Sequence, residues 1–276
     1  MLHISRPRFW LYLLGPYMLG GLLGAGELES LADWRYWALF AWFSFPANLL
    51  LYGVNDAADY DTDQHNPKKV RDEALVEPRD RIGLLVVVGL MLLLALPVVA
   101  VSPLQVGAYW VLFVLLGIAY SVPPVRFKAR PGLDSLSNVL YLVPMGAGWA
   151  FFQSSFPPAT LALAGTLWCA AMHAYSAIPD VESDRRAGLA TIATTLGRDG
   201  TLAFCAACWA GAAALVLLRD VPSGMMLAAY PLLAGIQLAR ARARVREWYR
   251  YFPIVNALVG MLLTLRVLWP LTVGRP

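Results

Sequence analysis

The chain has 276 residues, of which 59% are hydrophobic and only 14% are charged. This composition excludes an ordinary soluble globular domain and indicates a helical protein that crosses a membrane several times. The formal net charge of +4 does not call for nucleic acid as a partner, because loops that attract anionic lipid account for it.

Apolar stretches of membrane-spanning or nearly membrane-spanning length recur along the whole chain, which suits a hydrocarbon core of about 30 Å. We predict nine spans, at 9–26, 36–54, 83–101, 104–121, 138–152, 160–178, 200–218, 223–240 and 251–269. No linker or soluble domain separates them. The sequence therefore predicts an all-α polytopic membrane protein, a single integral-membrane domain over residues 1–276, whose nine transmembrane helices form one bundle around a central cavity.

In the first span, small or helix-bending residues recur at intervals that are typical of close helix packing. They are Gly15, Pro16, Gly20 and Gly24. Glycines spaced four apart allow two helix backbones to approach each other in a membrane. We therefore expect this span to pack tightly against another helix.

The first acidic cluster follows the second span. It contains Asn55, Asp56, Asp59 and Asp63. On a helix with about 100° per residue, the three aspartates share one face. Crowded carboxylates repel each other unless a cation lies among them, and hard oxygen ligands favour Mg²⁺. The pattern therefore predicts a magnesium site at the end of the second span.

Basic residues are concentrated at the N-terminus and in the loops after the even-numbered spans. Because Lys and Arg accumulate in loops that stay in the cytoplasm, these loops are predicted to face the cytoplasm from the cell membrane. The relevant residues are Arg6, Arg8, Lys68, Lys69, Arg71, Arg79, Arg81, Arg126, Lys128, Arg130, Arg185, Arg186, Arg198, Arg240, Arg242, Arg244, Arg246 and Arg250.

A second acidic pair, Asp180 and Asp184, follows the sixth span and has the i, i+4 spacing of one helix face. Both clusters are thus predicted on the same side of the membrane, beside basic loops. Metal ions held by carboxylates near basic residues are typical of a site for a phosphorylated ligand, since Mg²⁺ bridges protein and phosphate oxygens. A diphosphate with an alkyl tail between the helices fits this arrangement.

An allylic diphosphate substrate would explain why the carboxylates and the basic residues occur together. Mg²⁺ and Arg or Lys stabilise the charge that develops on the leaving pyrophosphate as the C–O bond ionises. Aromatic and Met side chains in a dry pocket stabilise the carbocation, which an electron-rich carbon of an acceptor then attacks.

Three segments resemble the signature segments of the UbiA superfamily of intramembrane prenyltransferases, in family order. They are NDAADYDTD at 55–63, YSVPPVRFK at 120–128 and DVESDRRAG at 180–188. The resemblance implies two Mg²⁺ ions held by Asp56, Asp59, Asp63, Asp180 and Asp184, with Asp56, Asp59, Asp180 and Asp184 as catalytic carboxylates. It also implies that Asn55 orients the first cluster and that Arg71, Arg126, Lys128 and Lys69 bind the diphosphate.

Within the superfamily, three further segments resemble the lycopene elongase branch, in which a C5 allylic diphosphate alkylates a C40 carotene. They are SRPRFW at 5–10, NPKK at 66–69 and RPGLDSLSN at 130–138. The segment at 66–71 also departs from the Pro-Arg-Pro arrangement of quinone-pathway members, which weakens the case for Lys69 and for an aromatic acceptor.

Two alternatives remain open from the sequence. A prenyltransferase could act on a quinone, haem or chlorophyll precursor instead of a carotene. An ion-coupled transporter could use the carboxylates as its ion site, but it would place acids near the bilayer midplane and break helices at matched positions. Besides the diphosphate, the lipophilic acceptor and membrane lipid, no obligatory protein partner is predicted.

Overall fold

A computed structural model describes residues 1–63, 76–240 and 245–273, with the side chains of 61–63 excepted. These residues form helices and turns and contain no strand. The α-helices are α1 (Leu11–Ala25), α2 (Trp34–Phe43), α3 (Phe45–Asn48), α4 (Val54–Asp63), α5 (Arg81–Ala100), α6 (Leu104–Ser121), α7 (Leu133–Leu136), α8 (Val143–Phe152), α9 (Ala159–Ala177), α10 (Val181–Arg186), α11 (Ile192–Leu217), α12 (Val221–Leu227), α13 (Ala229–Ala239), α14 (Val245–Tyr249) and α15 (Phe252–Val273).

Each of the nine predicted spans coincides with helix, and the all-α membrane fold is confirmed. Seven helical stretches within the described ranges are long and apolar enough to cross a membrane. The predicted spans at 9–26 and 138–152 correspond to the shorter helices α1 and α8, of 15 and 10 residues. A total of nine transmembrane helices therefore stays a prediction, as does the single domain over 1–276.

The chain divides into two compact units. The first comprises Met1–Arg126, Val143–Phe156 and Leu271–Pro276, and the second comprises Phe127–Leu142 and Pro157–Pro270. The first acidic cluster belongs to the first unit and the second cluster to the second unit.

In the first unit, α1 and α8 pack on each other through glycines. A Cβ atom on Gly20 would collide with the backbone carbonyl of Met145, and one on Gly24 would lie 2.8 Å from the carbonyl oxygen of Trp149. The expected packing role is confirmed at both positions. It is wrong for Gly15, where a Cβ atom would have nothing within 4 Å because this residue lies on the other side of α1.

An aromatic cluster fills the interior of the first unit. The rings of Tyr17 and Tyr36 stack with centroids 4.8 Å apart, and the Tyr17 hydroxyl donates to the backbone oxygen of Tyr36. Phe43 and Phe113 meet edge to face at 5.4 Å. Such pairs add to the burial of their large apolar surfaces and fix how α1, α2 and α6 pack.

The second unit has its own aromatic interior, formed by Tyr175, Trp209, Tyr230 and Phe252, all almost fully buried. Two buried polar bonds lie within this packing. Gln237 donates to the Tyr175 hydroxyl at 2.8 Å, and the Tyr230 hydroxyl donates to Asn256 at 2.9 Å. These bonds satisfy polar atoms that would otherwise destabilise a buried core.

Helix starts in this protein have clear local causes. The Asp33 side chain accepts the Arg35 backbone N–H at the start of α2, and Asp220 does the same for Ser223 in α12. Thr191 and Thr194 form a reciprocal capping box at the start of α11. Helix α11 begins eight residues before the predicted span at 200 and bends at Gly197, whose φ of 68° only glycine adopts readily.

Candidate active site

The first acidic cluster lies on a helical stretch that continues well past the predicted end of the second span. Helix α3 leads into a π-helical turn over Leu49–Gly53, and α4 follows directly with Asn55, Asp56 and Asp59. The helical expectation for the cluster is therefore confirmed. π-helical turns within α-helices are frequent at functional sites.

Asp56 is paired with a residue from the N-terminal segment. Arg6 Nη2 lies 2.8 Å from Asp56 Oδ1, with 14% and 3% of the two side chains exposed. The same guanidinium lies over the Tyr52 ring, 4.5 Å from its centroid. A buried ion pair of this kind fixes both partners, because either charge alone would be strongly destabilising there.

Asp59 is paired in a similar way with Arg126, which follows α6. Arg126 Nη2 lies 3.1 Å from Asp59 Oδ1, with 31% and 9% of the side chains exposed. The Arg126 Nε atom is buried, and no hydrogen-bond acceptor for it is found in the described part of the chain. An N–H donor in that state is suited to an anionic ligand.

Both arginines have an unusual backbone conformation. Arg6 has a φ of 51° and Arg126 a φ of 40°, and within the described ranges they are the non-glycine residues with positive φ. This left-handed region costs a residue with a Cβ roughly 1 kcal/mol or more and is enriched at functional sites. The fold thus holds two strained residues so that their guanidinium groups face the first cluster.

Asn55 lies between α6 and the cluster. The Ser121 hydroxyl donates to Asn55 Oδ1 at 3.1 Å, and Asn55 Nδ2 lies 3.3 Å from Asp56 Oδ1. Ser121 is fully buried. The hydroxyl thereby fixes the amide so that its donor side points towards Asp56.

The second cluster, in the second unit, lies on a backbone with a defined local geometry. Pro179 interrupts the α-helix, so a 3₁₀ turn over Ile178–Asp180 joins α9 to α10. Asp180 and Asp184 are half-buried. The Ser183 hydroxyl donates to the Asp180 backbone oxygen, and the Leu189 N–H donates to the Asp184 backbone oxygen at 2.8 Å.

Lys128, Arg185 and Arg186 belong to the second unit and have different surroundings. Lys128 lies in a 3₁₀ turn over Phe127–Ala129. Arg185 donates to the Thr194 backbone oxygen at 3.0 Å, and Arg186 faces Glu182 at 3.9 Å in an exposed pair. Exposed pairs of this kind contribute little to stability.

Some predicted site residues cannot be placed. Lys69, Arg71 and the side chain of Asp63 lie outside the described residues. Among the side chains that the structure does describe, no group of three or more His, Cys, Asp or Glu could hold a metal ion. The roles assigned to the acidic and basic residues stay predictions.

Arg6 and Ser121 were not among the predicted site residues, although both stand in segments that carry the family resemblance. Their partners are 50 and 66 residues away in the chain. In the sequence, only the proline after Arg6 and the position of Ser121 at the end of a span pointed to a special role for these two residues. Neither feature shows that Arg6 contacts Asp56 or that Ser121 contacts Asn55.

Known proteins resemble this chain over nearly its whole length. The family model for the UbiA prenyltransferase family matches residues 13–263. The lycopene elongase/hydratase of Halobacterium salinarum is 43% identical over 98% of both chains. That of Haloferax volcanii is 44% identical over 98% of this chain and 89% of its own.

Solved structures agree on the fold. A UbiA homolog from Archaeoglobus fulgidus bound to DMAPP and Mg²⁺ has a TM-score of 0.75 at 22% identity, covering 96% of this chain and 98% of its own. The expected resemblance to the superfamily and to its lycopene elongase branch is confirmed. The chain is an integral membrane prenyltransferase that belongs to the UbiA prenyltransferase family.

Proposed function

We propose that this prenyltransferase transfers a C5 prenyl group from dimethylallyl diphosphate to the end of lycopene or a related carotene. The acceptor is supported by the high identity to lycopene elongase/hydratases over nearly full length. The donor is supported by the fold shared with a homolog bound to DMAPP and Mg²⁺. The observation that carries the site is the pairing of two buried carboxylates, Asp56 and Asp59, with guanidinium groups.

The residues present fit a divalent cation. The carboxylates of Asp56, Asp59, Asp180 and Asp184 provide hard oxygen donors, the type that Mg²⁺ prefers. Arg6 and Arg126 already place positive charge against the first two, so this helix face suits cations. Asp56, Asp59 and Asp63 would hold one ion and Asp180 and Asp184 another. When bound, Mg²⁺ stabilises negative charge on the diphosphate leaving group.

The arginine and lysine residues bind and orient the diphosphate. Arg126 has a buried Nε donor that can reach an anionic oxygen, and Lys128 adds a point charge. The C–O bond of the donor breaks with its electron pair on the departing diphosphate oxygen. The terminal C=C bond of the carotene supplies two electrons to the allyl cation and becomes a tertiary cation. That cation loses a proton to give an alkene, or captures water and then loses a proton.

Product analysis tests the proposal. The chain is expressed in a lycopene-producing host and the carotenoids are analysed by mass spectrometry, with Asp56→Ala as the inactive variant. Asp80→Ala serves as a matched control, because that side chain is 67% exposed. We expect carotenoids heavier by one or two C5H8 units, with or without added water, in wild type and in Asp80→Ala only.

Unchanged lycopene from well-expressed wild-type protein would contradict the proposed acceptor. Purified protein would then be tested with Mg²⁺, labelled allylic diphosphates and quinone, haem or chlorophyll precursors. If one of these acceptors is prenylated, the proposed prenyl transfer stands and that compound takes the place of the carotene as the acceptor. Mg²⁺-independent transport without prenyl transfer would support the transporter alternative.

We also propose that the protein lies in the cytoplasmic membrane with both carboxylate clusters facing the cytoplasm. The support is the concentration of arginine and lysine in the loops beside the clusters. Glu182→Cys, at an exposed position beside the second cluster, should react with an impermeant maleimide only after the membrane is opened. Val221→Cys, at the exposed start of α12, should react in intact spheroplasts. The reverse pattern would invert the orientation.

A further inference from the structure

In the second unit, Asp134 is a fully buried aspartate that lies outside both acidic clusters. It belongs to α7, in the loop that follows α6. Its Oδ2 atom accepts the backbone N–H of Ile192 at 2.8 Å, while His173 Nε2 lies further away at 3.9 Å. Burial raises the pKa of Asp134, and the hydrogen bond from Ile192 opposes that rise. A buried carboxylate in this position needs a structural or functional reason.

On one side, Asp134 is tied to the turn that carries Lys128. The Asp134 N–H donates to the Arg130 backbone oxygen at 2.9 Å, and the Arg130 N–H donates to the Phe127 backbone oxygen at 3.0 Å. The Asp134 backbone oxygen accepts from the side chains of Ser137 and Asn138. The position of the turn over Phe127–Ala129 therefore depends on where α7 is held.

On the other side, Ile192 is tied to the second carboxylate cluster. It is the first residue of α11, directly after the capping residue Thr191. The connection back to α10 is closed by the bond from the Leu189 N–H to the Asp184 backbone oxygen. The first N–H groups of a helix have no acceptor within the helix. The Asp134 carboxylate accepts the Ile192 N–H, and its negative charge is favourable at the positive end of the helix dipole.

We propose that Asp134 is a positioning residue for the diphosphate site: its carboxylate joins the segment that carries Lys128 to the segment that carries Asp180 and Asp184. The inference rests on the proposed function, since it assigns these residues to diphosphate and metal.

Two substitutions remove the same hydrogen bond from opposite ends. Asp134→Leu keeps the branched shape of the side chain but removes the acceptor. Ile192→Pro removes the donor at the first helical position, where proline is well tolerated, and Thr191 already has an extended backbone, with φ −121° and ψ 168°, that precedes proline without strain. Asp134→Asn keeps an acceptor for the Ile192 N–H. Asp199→Asn, at an exposed side chain on α11, is the matched control.

The test measures binding of inorganic pyrophosphate with Mg²⁺ to purified protein by calorimetry, together with KM and kcat for the allylic diphosphate. In Asp134→Leu and in Ile192→Pro we expect pyrophosphate affinity to fall about tenfold or more and KM for the donor to rise in parallel, with kcat changed less. Asp134→Asn should stay within about threefold of wild type, and Asp199→Asn should be unchanged.

The results separate this inference from the proposed function. If wild type fails to bind pyrophosphate with Mg²⁺, the proposed function fails. If wild type binds it and both Asp134→Leu and Ile192→Pro bind it equally well, the positioning role is overturned, even if their melting temperatures fall. If Asp134→Leu cannot be purified, Ile192→Pro and Asp134→Asn decide: normal affinity in Ile192→Pro contradicts the inference.

Discussion

The side chains of Asp56 and Asp59 are buried against guanidinium groups, whereas Asp180, in a 3₁₀ turn, and Asp184, in α10, are only half-buried. Both clusters are predicted to bind metal, yet they differ in how far they are shielded from solvent. The buried carboxylates of the first cluster lie against arginines that are distant in sequence. Substitutions should therefore affect stability more in the first cluster than in the second.

The largest effect is expected for the aspartates themselves. Asp56→Ala and Asp184→Ala should each lower turnover by about 10²- to 10³-fold or more, because each removes a hard oxygen ligand. Asp56→Ala should also destabilise the protein by about 3 kcal/mol, since Arg6 then stays buried without its partner. Asp184→Ala, at a side chain that is only half-buried, should destabilise the protein less than Asp56→Ala. Product formation measures the loss of turnover, and melting temperatures in detergent measure the loss of stability. Equal melting temperatures for Asp56→Ala and Asp184→Ala would contradict the expected difference between the two clusters.

Arg126 allows backbone strain to be separated from charge. Arg126→Ala and Arg126→Gly both remove the guanidinium, so both should raise KM for the donor about 10- to 100-fold. Because glycine adopts a φ of 40° without strain, Arg126→Gly should be more stable than Arg126→Ala by about 1 kcal/mol. An unchanged donor KM in both variants would remove Arg126 from the site.

Arg6 tests whether the N-terminal segment belongs to the first cluster. Arg6→Ala should lower kcat/KM about tenfold, because Asp56 loses the group that holds it in position. Arg8→Ala, at an exposed arginine two residues away, should have little effect. A double-mutant cycle with Asp56→Asn should give a coupling free energy of about 1 to 3 kcal/mol in stability. Additive effects would show that the pair does not act as a unit.

Ser121 should have a smaller effect. Ser121→Ala removes the hydroxyl that orients Asn55, a hydrogen bond worth about 1 kcal/mol, so kcat/KM should fall about fivefold. Ser183→Ala, whose hydroxyl contacts the Asp180 backbone oxygen, serves as the equivalent change in the second cluster. A larger fall in kcat/KM for Ser183→Ala than for Ser121→Ala would contradict the expected difference between the two clusters.

The smallest effect is expected outside both clusters, at Asp220. Hydrogen bonds from Arg266 and Ser223 hold the pKa of Asp220 below its usual range. The stabilisation is present above the unfolded-state pKa of about 3.9 and is lost as the pH falls through the lower folded-state value. Asp220→Asn should therefore lower Tm slightly at pH 7 and remain fully active, and its difference in Tm from wild type should begin to narrow as the pH falls below about 3.9. Melting curves between pH 7 and 3 measure this.

The sequence predicted the helical positions and the helix that carries the first cluster, because apolar length and helical spacing are local properties. It missed where one helix begins and bends, since α11 starts early and turns at Gly197. It also missed Arg6 and Ser121. Their contacts depend on how segments pack, and no spacing rule links residues 50 or more positions apart.

The π-helical turn at Leu49–Gly53 fits one more residue into its stretch than a regular α-helix would. The direction in which the first cluster faces is therefore set by the winding of this turn and the number of residues in it, as well as by their types. If the same residues were wound as a regular α-helix instead, Asn55, Asp56 and Asp59 would be rotated by about 100° around the helix axis. The sequence and the apolar composition of the span would be the same. A change of winding in the membrane interior can thus remove activity without touching any motif.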